Sequence, residues 1–366
     1  MKKNKTAEET IYFNRGIPSE ESLPYDALTR VFPQLLEDPE KGLLRYGNST
    51  GYPPLKRALS ENYSEASEEN LLIGNGSLQL LDLIASHYLS PGDTVIVENP
   101  TYDRALTIFE RAGLEVAGVE LEEDGLNLEE LEDVARSRSP DLLYVIPDFQ
   151  NPTGTTTGKY KRGRIVELAE GFDFTVIEDS PYRHLRYRGE TLPTIRELGP
   201  DSTIQVSSFS KLISPGIRVG WLVSDPGTVS KLGGYAEDTY ISPNQLSQGI
   251  VESLITEGWF SDRIDELIDL YRPRLEATLK SLERFFPEAD WVEVEGGFFV
   301  GLWLPESARA DMFYEKIEEK GLVLSSPEGF FPNEGGENFV RLPFPALKPA
   351  EIEKGIKRMA EAWSEL

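Results

Sequence analysis

The amino-acid sequence predicts an α/β fold, in which helices sandwich the mostly parallel sheet of a large domain and a smaller α+β domain lies beside it. From Gly51 onward, helical and strand patterns alternate, and the strand segments are almost continuously apolar. Such strands are typical of parallel sheets that are buried on both faces. After about Ser261 the helices and strands follow one another at shorter intervals, and this change predicts the smaller domain.

Each element of the large domain follows from a local pattern. Apolar residues at helical spacing, or a proline in a first turn, predict helices, and short apolar runs predict strands. The predicted helices cover residues 53–63, 77–89, 102–113, 127–137 and 163–172. The predicted strands cover residues 94–98, 114–121, 142–148, 174–179, 203–208 and 219–224.

The C-terminal part begins with a long helical stretch over residues 261–286. This stretch crosses Pro273, where we expect a bend or a break. The predicted elements after it are a strand at 291–305, a helix at 311–321, strands near 323–326 and at 339–344, and a closing helix from Pro349.

Composition excludes several kinds of site. The chain has no cysteine, which excludes disulfides, thiolate metal sites and cysteine nucleophiles, and its only histidines are His87 and His184. The formal net charge of −26 repels phosphate backbones and anionic lipids, so neither nucleic acid nor a membrane is an expected partner. Because the sequence shows no signal peptide and no apolar run of roughly 20 residues, we expect a cytoplasmic protein.

Unusual polar residues gather in four segments at strand ends or at a helix start. In the first segment, Gly74 to Ser77, glycines precede a helix N-terminus, which offers backbone N–H groups to an anion. A dinucleotide-binding fingerprint would need a third glycine where Gln79 stands. Taken alone, this segment is either a phosphate site or a plain turn with an N-cap.

The other three segments follow predicted strands. They carry Asn151, Asp179 and, around a Pro-Gly turn, Ser208, Ser210, Lys211 and Arg218. Asp179 closes an apolar strand, so it needs a cationic partner, although a helix cap or a structural ion pair would also account for it. Together the four segments offer an anion site, a carboxylate, polar groups and one lysine. That set suits pyridoxal 5′-phosphate, whose aldehyde bonds a lysine and whose ring nitrogen a carboxylate keeps protonated.

In their order, these segments resemble those of the fold-type I, class I/II pyridoxal-phosphate aminotransferases, especially the 2-aminoadipate and kynurenine aminotransferases. The same module forms the C-terminal half of MocR-type regulators. The matching segments are IYFNRGIPSEESLP, RYGNSTGYPPLKRAL, GNGSLQLLDL, ENPTY, PDFQNPTG, EDSPYRHLRY, SSFSKLISPGIRVGW and NFVRLPF. The resemblance implies an aspartate-aminotransferase-like fold and a homodimer with shared active sites. It also implies an N-terminal segment (1–46) that packs with the small domain and the partner subunit, a large cofactor-binding domain (47–261) and a small C-terminal domain (262–366).

The resemblance implies a role for each residue near the cofactor ring. Lys211 forms the Schiff base and moves a proton between the substrate Cα and the cofactor C4′ atom. Asp179 pairs with the pyridine nitrogen, and Tyr102 stacks on the ring. Asn151 and Tyr182 hydrogen-bond the 3-oxygen of the ring.

The remaining implied roles concern the phosphate and the substrate. The residues implied to bind the phosphate are Gly76, Ser77, Leu78, Gln79, Ser208, Ser210, Arg218 and, from the neighbouring subunit, Tyr46. Arg341 clamps the substrate α-carboxylate, which a bidentate fork suits best, and Asn151 and Gly16 lie on the substrate side. Arg15, where the family usually has glycine, either holds a distal carboxylate or lies at a surface or interface. Leu78 replaces a frequent glutamine, but backbone N–H groups suffice to bind a phosphate.

These roles predict a ping-pong aminotransferase that moves an amino group between an L-amino acid and a 2-oxo acid through a Lys211 aldimine. Cationic neighbours should lower the pKa of Lys211.

A C–S β-lyase or a decarboxylase on the same fold stays open as an alternative, since the same contacts serve all of these enzymes. Ser208 to Lys211 also fits the S-x-x-K pattern of serine acyl-enzymes, but the partner motifs SDN and KTG are absent. A non-catalytic ligand-sensing module is the last alternative. The regulators that use it carry a helix-turn-helix extension, for which we see no room before Tyr12.

Overall fold

The computed structural model of the chain describes residues 10–62, 66–305, 310–333 and 335–366. The strands are β1 (Ile11–Phe13), β2 (Leu71–Gly74), β3 (Thr94–Asn99), β4 (Glu115–Glu122), β5 (Gly125–Leu126), β6 (Leu142–Val145), β7 (Thr175–Asp179), β8 (Thr203–Ser208), β9 (Gly220–Val223), β10 (Phe299–Trp303), β11 (Leu322–Leu324) and β12 (Phe339–Pro343). The helices are α1 (Tyr25–Glu37), α2 (Pro53–Asn62), α3 (Ser77–His87), α4 (Asp103–Arg111), α5 (Leu128–Arg138), α6 (Lys159–Phe172), α7 (Ile195–Leu198), α8 (Pro226–Tyr240), α9 (Gln245–Thr256), α10 (Trp259–Phe285), α11 (Ala310–Glu319) and α12 (Pro349–Trp363). Tyr63, the last residue of one predicted helix, lies outside the described residues.

Within the described residues, the large sheet has eight strands in the order β2-β9-β8-β7-β6-β3-β4-β5. The strands from β8 to β4 pair in parallel, whereas β2 and β8 pair antiparallel with β9, and β5 pairs antiparallel with β4. On β3, Val95 and Val97 belong to one apolar cluster and Ile96 to another, so the strand is buried on both faces. The prediction of a mostly parallel sheet between helices is therefore confirmed.

Two smaller sheets link the N-terminal segment with the C-terminal part. β1 pairs in parallel with β11, and β10 pairs antiparallel with β12. The ring of Phe13 lies 2.3 Å from where a Cβ atom on Gly355 of α12 would stand, so this close approach requires glycine. The domain boundary predicted after residue 46 falls between α1 and α2, and the one predicted after residue 261 falls in the first turn of α10.

The structure corrects two predictions about the C-terminal elements. Of the bend or break expected at Pro273, the break does not occur: α10 continues through it, with Tyr271 and Leu275 buried. The strand predicted at residues 291–305 is confined to β10. Gly297 adopts a left-handed φ of 69° just before β10, and the backbone there bonds elsewhere: the Gly297 N–H donates to the Leu185 carbonyl at 2.9 Å.

The sequence patterns also failed to predict α1, β2, α8 and α9. The α8 sequence contains Gly233 and Gly234, which disfavour an isolated helix. In the fold, Gly233 permits a close contact, since a Cβ atom there would stand 2.6 Å from the side chain of Thr50. Tertiary packing therefore stabilises α8 where local sequence preference does not.

Among the helices of the described residues, none combines the length and the apolarity that are needed to cross a membrane.

A buried arginine anchors the loop that follows β6. The side chain of Arg162 is fully buried, and it pairs with Asp148 at 2.8 Å. Its guanidinium also donates to the carbonyls of Pro147 at 2.9 Å, Thr157 at 2.8 Å and Pro193 at 3.0 Å. A buried charge is tolerated when it is paired and hydrogen-bonded in this way, and both ends of the loop are thereby tied to α6.

We expect Arg162→Met to lower the free energy of unfolding by about 3–5 kcal/mol, because the buried carboxylate of Asp148 loses its ion pair with the Arg162 guanidinium. Arg164→Met is the matched control on the same helix: Arg164 pairs with Glu167 near the surface, and such pairs contribute little. Urea unfolding followed by circular dichroism measures both. Equal effects of the two substitutions would contradict the anchoring role.

Candidate active site

A cavity of about 180 Å³ lies at the edge of the sheet where the parallel strands end. Ligands of open α/β sheets bind at this edge. The lining residues are Ser77, Leu78, Tyr102, Ile146, Asn151, Asp179, Pro181, Tyr182, Ser208, Ser210, Lys211, Pro215 and Arg218. The structure therefore brings together residues that are far apart in the sequence. Ser77 and Arg218, the first and last of them, are separated by 141 positions.

A larger cavity, of about 580 Å³, lies over the side chains of Gln205 and Ser207 on β8. Its two arginines are already engaged. Arg196 donates to the carbonyls of Pro200 and Thr203 at 2.9 and 2.6 Å, and Arg183 contacts carboxylates at 3.4 and 3.6 Å. The smaller cavity, by contrast, holds an amine and a carboxylate with unused bonding capacity, and we assign the chemistry to it.

Lys211 lies in the turn after β8, and its Nζ atom donates to the carbonyl of Gly16 at 2.9 Å. The pKa of the Lys211 ammonium is lowered to about 8, mainly by burial and also by the positive charges of Arg341 and Arg218, against the opposing effect of Asp179. The predicted lowering of the pKa is confirmed, although burial contributes more than the cationic neighbours do. At neutral pH a fraction of Lys211 is therefore a neutral, nucleophilic amine.

Asp179 is the last residue of β7, and its carboxylate is only half satisfied. Its Oδ2 atom accepts a hydrogen bond from the Tyr144 hydroxyl at 2.8 Å. Its Oδ1 atom is buried and has no partner among the described residues. Burial raises the pKa of Asp179 to about 6, while Tyr144 and Lys211 oppose that rise. An unpaired buried oxygen is costly, so Oδ1 is suited to a cationic N–H donor.

Arg341, on β12, does not itself line the cavity, but it contacts Asn151, which does. Its Nη1 atom donates to Asn151 Oδ1 at 3.2 Å, and its Nη2 atom donates to Ser325 Oγ at 2.8 Å. The guanidinium carbon lies 5.1 Å from the ring centroid of Phe299 and 4.5 Å from that of Phe330, and such contacts favour a cation. Its Nε atom is buried and unpaired among the described residues. The side chain is therefore fixed in place with capacity left for an anion.

Hydroxyl groups and an arginine line the end of the cavity nearest α3. The Ser208 and Ser210 hydroxyls are 2.9 Å apart, and Arg218 Nη1 lies 3.4 Å from Ser210 Oγ. α3 begins at Ser77, and the first N–H groups of a helix lack partners within it. Gly76 precedes this turn with a φ of 96°, and a Cβ atom there would stand 2.3 Å from Arg218 Nη2. Only glycine fits this position, and the space beside it suits an anion.

The remaining predicted residues occupy different places. Tyr102 and Tyr182 line the cavity, and burial raises the pKa of Tyr102 to about 12. Gln79 does not line the cavity: its backbone N–H donates to the Gly76 carbonyl, and its side-chain oxygen accepts from the Asn75 N–H.

Two of the predicted residues are exposed. Tyr46 is 83% exposed, and Arg15 is also exposed. Neither of these two residues lines the cavity within this chain.

Sequence reasoning missed three buried polar residues behind the cavity: Tyr144, Glu98 and Gln150. Gln150 Nε2 donates to Glu98 Oε2 at 3.1 Å and to the Pro100 carbonyl at 2.8 Å, and so links the loops after β3 and β6. Burial raises the pKa of Glu98 to about 8. The available signal was the one that identified Asp179, namely a polar group within or at the end of an otherwise apolar strand.

Comparison with known proteins identifies the family. Residues 11–359 match the family described as aminotransferase class I and II. The chain belongs to this family. The family match confirms that the protein is an aminotransferase. The solved aspartate aminotransferase of Thermus thermophilus, which is 22% identical and has a TM-score of 0.83 over 97% of this chain and 92% of that one, confirms the predicted aspartate-aminotransferase-like fold.

This aminotransferase is similar along nearly its whole length to several known proteins. It is 34% identical to aromatic-amino-acid aminotransferase 1 of Thermococcus litoralis over 96% of this chain and 87% of that protein. The kynurenine aminotransferase of Pyrococcus horikoshii is 32% identical, with a TM-score of 0.93 over 98% of this chain and 91% of that one. The α-aminoadipate aminotransferase of Thermus thermophilus, solved with N-(5′-phosphopyridoxyl)-L-leucine, is 31% identical, with a TM-score of 0.92 over 98% and 93% of the two chains.

We expect Lys211 of this aminotransferase to react with acetic anhydride half-maximally near pH 8, because its pKa is lowered to about 8 from 10.5. Arg341→Met should shift the midpoint to higher pH, since the lost positive charge had favoured the neutral amine. Peptide mass spectrometry at a series of pH values measures the modified fraction, with the exposed Lys159 as the internal reference. Identical profiles for the two lysines would contradict the lowered pKa.

Proposed function

We propose that this aminotransferase binds pyridoxal 5′-phosphate in the cavity and moves an amino group between an L-amino acid and a 2-oxo acid in two half-reactions. The observation that carries the proposal is the unpaired, buried Oδ1 atom of Asp179, which shares the cavity with the Lys211 amine. A protonated ring nitrogen satisfies that oxygen. Membership of the family implies the same cofactor.

Each part of the cofactor has residues suited to hold it. The phosphate group fits between the start of α3 and the group formed by Ser208, Ser210 and Arg218, which Gly76 allows to approach the helix start closely. For the ring, Tyr102 supplies an aromatic face, and Asn151 and Tyr182 supply hydrogen bonds to the 3-oxygen. These side chains would hold the ring in the cavity that Lys211 also lines.

When bound, pyridoxal phosphate supplies an aldehyde that takes up the substrate amine and a ring that delocalises electrons. Arg341 binds the α-carboxylate of the amino acid through its unpaired Nε and neighbouring N–H groups. Lys211 Nζ, as a neutral amine, removes the proton from the substrate Cα atom and then returns it on the cofactor side. Asp179 keeps the ring nitrogen protonated throughout, because its carboxylate is anionic above its pKa of about 6.

We expect Lys211→Ala to lower the turnover number by roughly 10³-fold or more, since the substitution removes the proton carrier. Lys159→Ala is the control, because Lys159 is exposed on α6. The measurement mixes the cofactor-loaded enzyme with a panel of L-amino acids and follows release of the 2-oxo acid together with the ultraviolet–visible spectrum. Full turnover by Lys211→Ala would overturn the proposal, and release of pyruvate from cysteine conjugates would favour a β-lyase instead.

We further propose that the active unit is a homodimer in which Tyr46 reaches the phosphate of the partner's site. Support comes from the segment that carries it, where large apolar side chains are exposed: Tyr12 (56%), Tyr25 (62%), Leu44 (81%) and Tyr46 (83%). Exposed apolar surface of this kind marks protein–protein contacts. Within this chain, Tyr46 lies outside the cavity lining, so a role at the phosphate requires a second copy.

A complementation experiment tests this arrangement. We expect Tyr46→Ala to weaken pyridoxal phosphate binding and Lys211→Ala to remove turnover. Mixed dimers of the two variants should regain activity, because one site of each pair then has an intact Lys211 and an intact Tyr46 from the partner. Tyr25→Ala in place of Tyr46→Ala is the control. A monomer in size-exclusion chromatography, or no gain on mixing, would contradict the shared site.

A further inference from the structure

Tyr144 lies directly behind the carboxylate that faces the cavity. It is fully buried on β6, beside β7, which ends at Asp179. Its hydroxyl donates to Asp179 Oδ2 at 2.8 Å, and its ring packs edge-on against Phe109 with the centroids 5.6 Å apart. The residue does not line the cavity itself, so it acts on the site only through Asp179.

We propose that Tyr144 is a positioning residue, which holds Asp179 as an oriented carboxylate through Oδ2 and leaves Oδ1 to accept the ring nitrogen of pyridoxal phosphate. The inference rests on the proposed function. A phenylalanine would fill the same apolar space without a hydroxyl to desolvate. The presence of a hydroxyl at hydrogen-bond distance from Oδ2 therefore has a use beyond packing.

The other ionisable groups around Asp179 make this hydrogen bond important. The groups that interact electrostatically with Asp179 are Glu98, Tyr102, Tyr144, Tyr182 and Lys211. Of these, Tyr144 and Lys211 lower the pKa of Asp179, against the larger effect of burial. Lys211 helps only while it is charged, and its own pKa is about 8. Once Lys211 is neutral, Tyr144 is the remaining group among the described residues that favours the Asp179 carboxylate.

The Tyr144 hydroxyl is suited to holding the Asp179 carboxylate because it remains a hydrogen-bond donor. Burial and the charge of Asp179 raise the pKa of the Tyr144 hydroxyl well above its ordinary value, so it keeps its proton. Glu98, with its pKa raised to about 8 by burial, is largely protonated at neutral pH and adds little repulsion. Loss of the Tyr144 hydrogen bond therefore raises the pKa of Asp179 from about 6 toward neutrality.

The test is Tyr144→Phe, with the dissociation constant of pyridoxal phosphate measured by equilibrium dialysis across a series of pH values. We expect the constant at neutral pH to rise about tenfold, which corresponds to about 1.4 kcal/mol. The acidic limb, where binding is lost as Asp179 is protonated, should move from near pH 6 to higher pH. The matched control is Tyr187→Phe, a buried tyrosine whose hydroxyl donates to the Gly297 carbonyl at 2.7 Å.

A double-mutant cycle with Asp179→Asn separates positioning from a structural effect. Tyr144→Phe should weaken binding in the wild-type background and should add no further loss in the Asp179→Asn background, because the two residues act as a unit. Equal losses in both backgrounds, an unmoved acidic limb, or the same loss in Tyr187→Phe would overturn the inference while leaving the proposed function intact. Failure of the wild-type protein to bind pyridoxal phosphate would overturn both.

Discussion

The site depends on one buried carboxylate at the end of β7. Asp179 has one oxygen bonded to Tyr144 and another buried without a partner among the described residues. A buried charge persists only where hydrogen bonds and opposite charges surround it. Parallel pairing of β6, β7 and β8 meets this condition, because neighbouring strands run side by side and end at the same edge. The hydroxyl of Tyr144 and the ammonium of Lys211 are thereby brought to the carboxylate, and its open oxygen marks where a cationic nitrogen belongs.

Two arginine side chains act electrostatically on Lys211. Arg218 and Arg341 both lower its pKa, and each is held by hydrogen bonds: Arg218 to the Asn75 carbonyl at 3.0 Å and Arg341 to Ser325 at 2.8 Å. Because these cations cannot move apart, an anion bound at either one relieves their repulsion. The arrangement is suited to a complex with two separate anionic groups, which a phosphate on the cofactor and a carboxylate on the substrate provide.

The loops that carry the site are held by buried polar contacts as well as by apolar packing. Gln150 links the loops after β3 and β6, and its Oε1 atom accepts from the Thr153 N–H at 3.0 Å. Arg162 holds both ends of the second loop through backbone carbonyls and Asp148. Asn151 lies between these anchors, so its amide is oriented before a ligand arrives. Such preorganisation reduces the cost of ordering the site on binding.

Local sequence patterns predicted most strands of the large sheet and most of the side chains that line the cavity. Apolar runs located most strands to within a few residues, and polar residues at the ends of those runs identified Asp179 and Lys211. The patterns did not reveal Tyr144 as the partner of Asp179, nor the Gly16 carbonyl as the partner of Lys211, nor that α10 continues through Pro273 without a break. Those features depend on groups that are distant along the chain, or on burial of a helix against its neighbours. Local patterns report the preferences of a segment, whereas only the tertiary structure decides which groups share a buried space and what each must bond there.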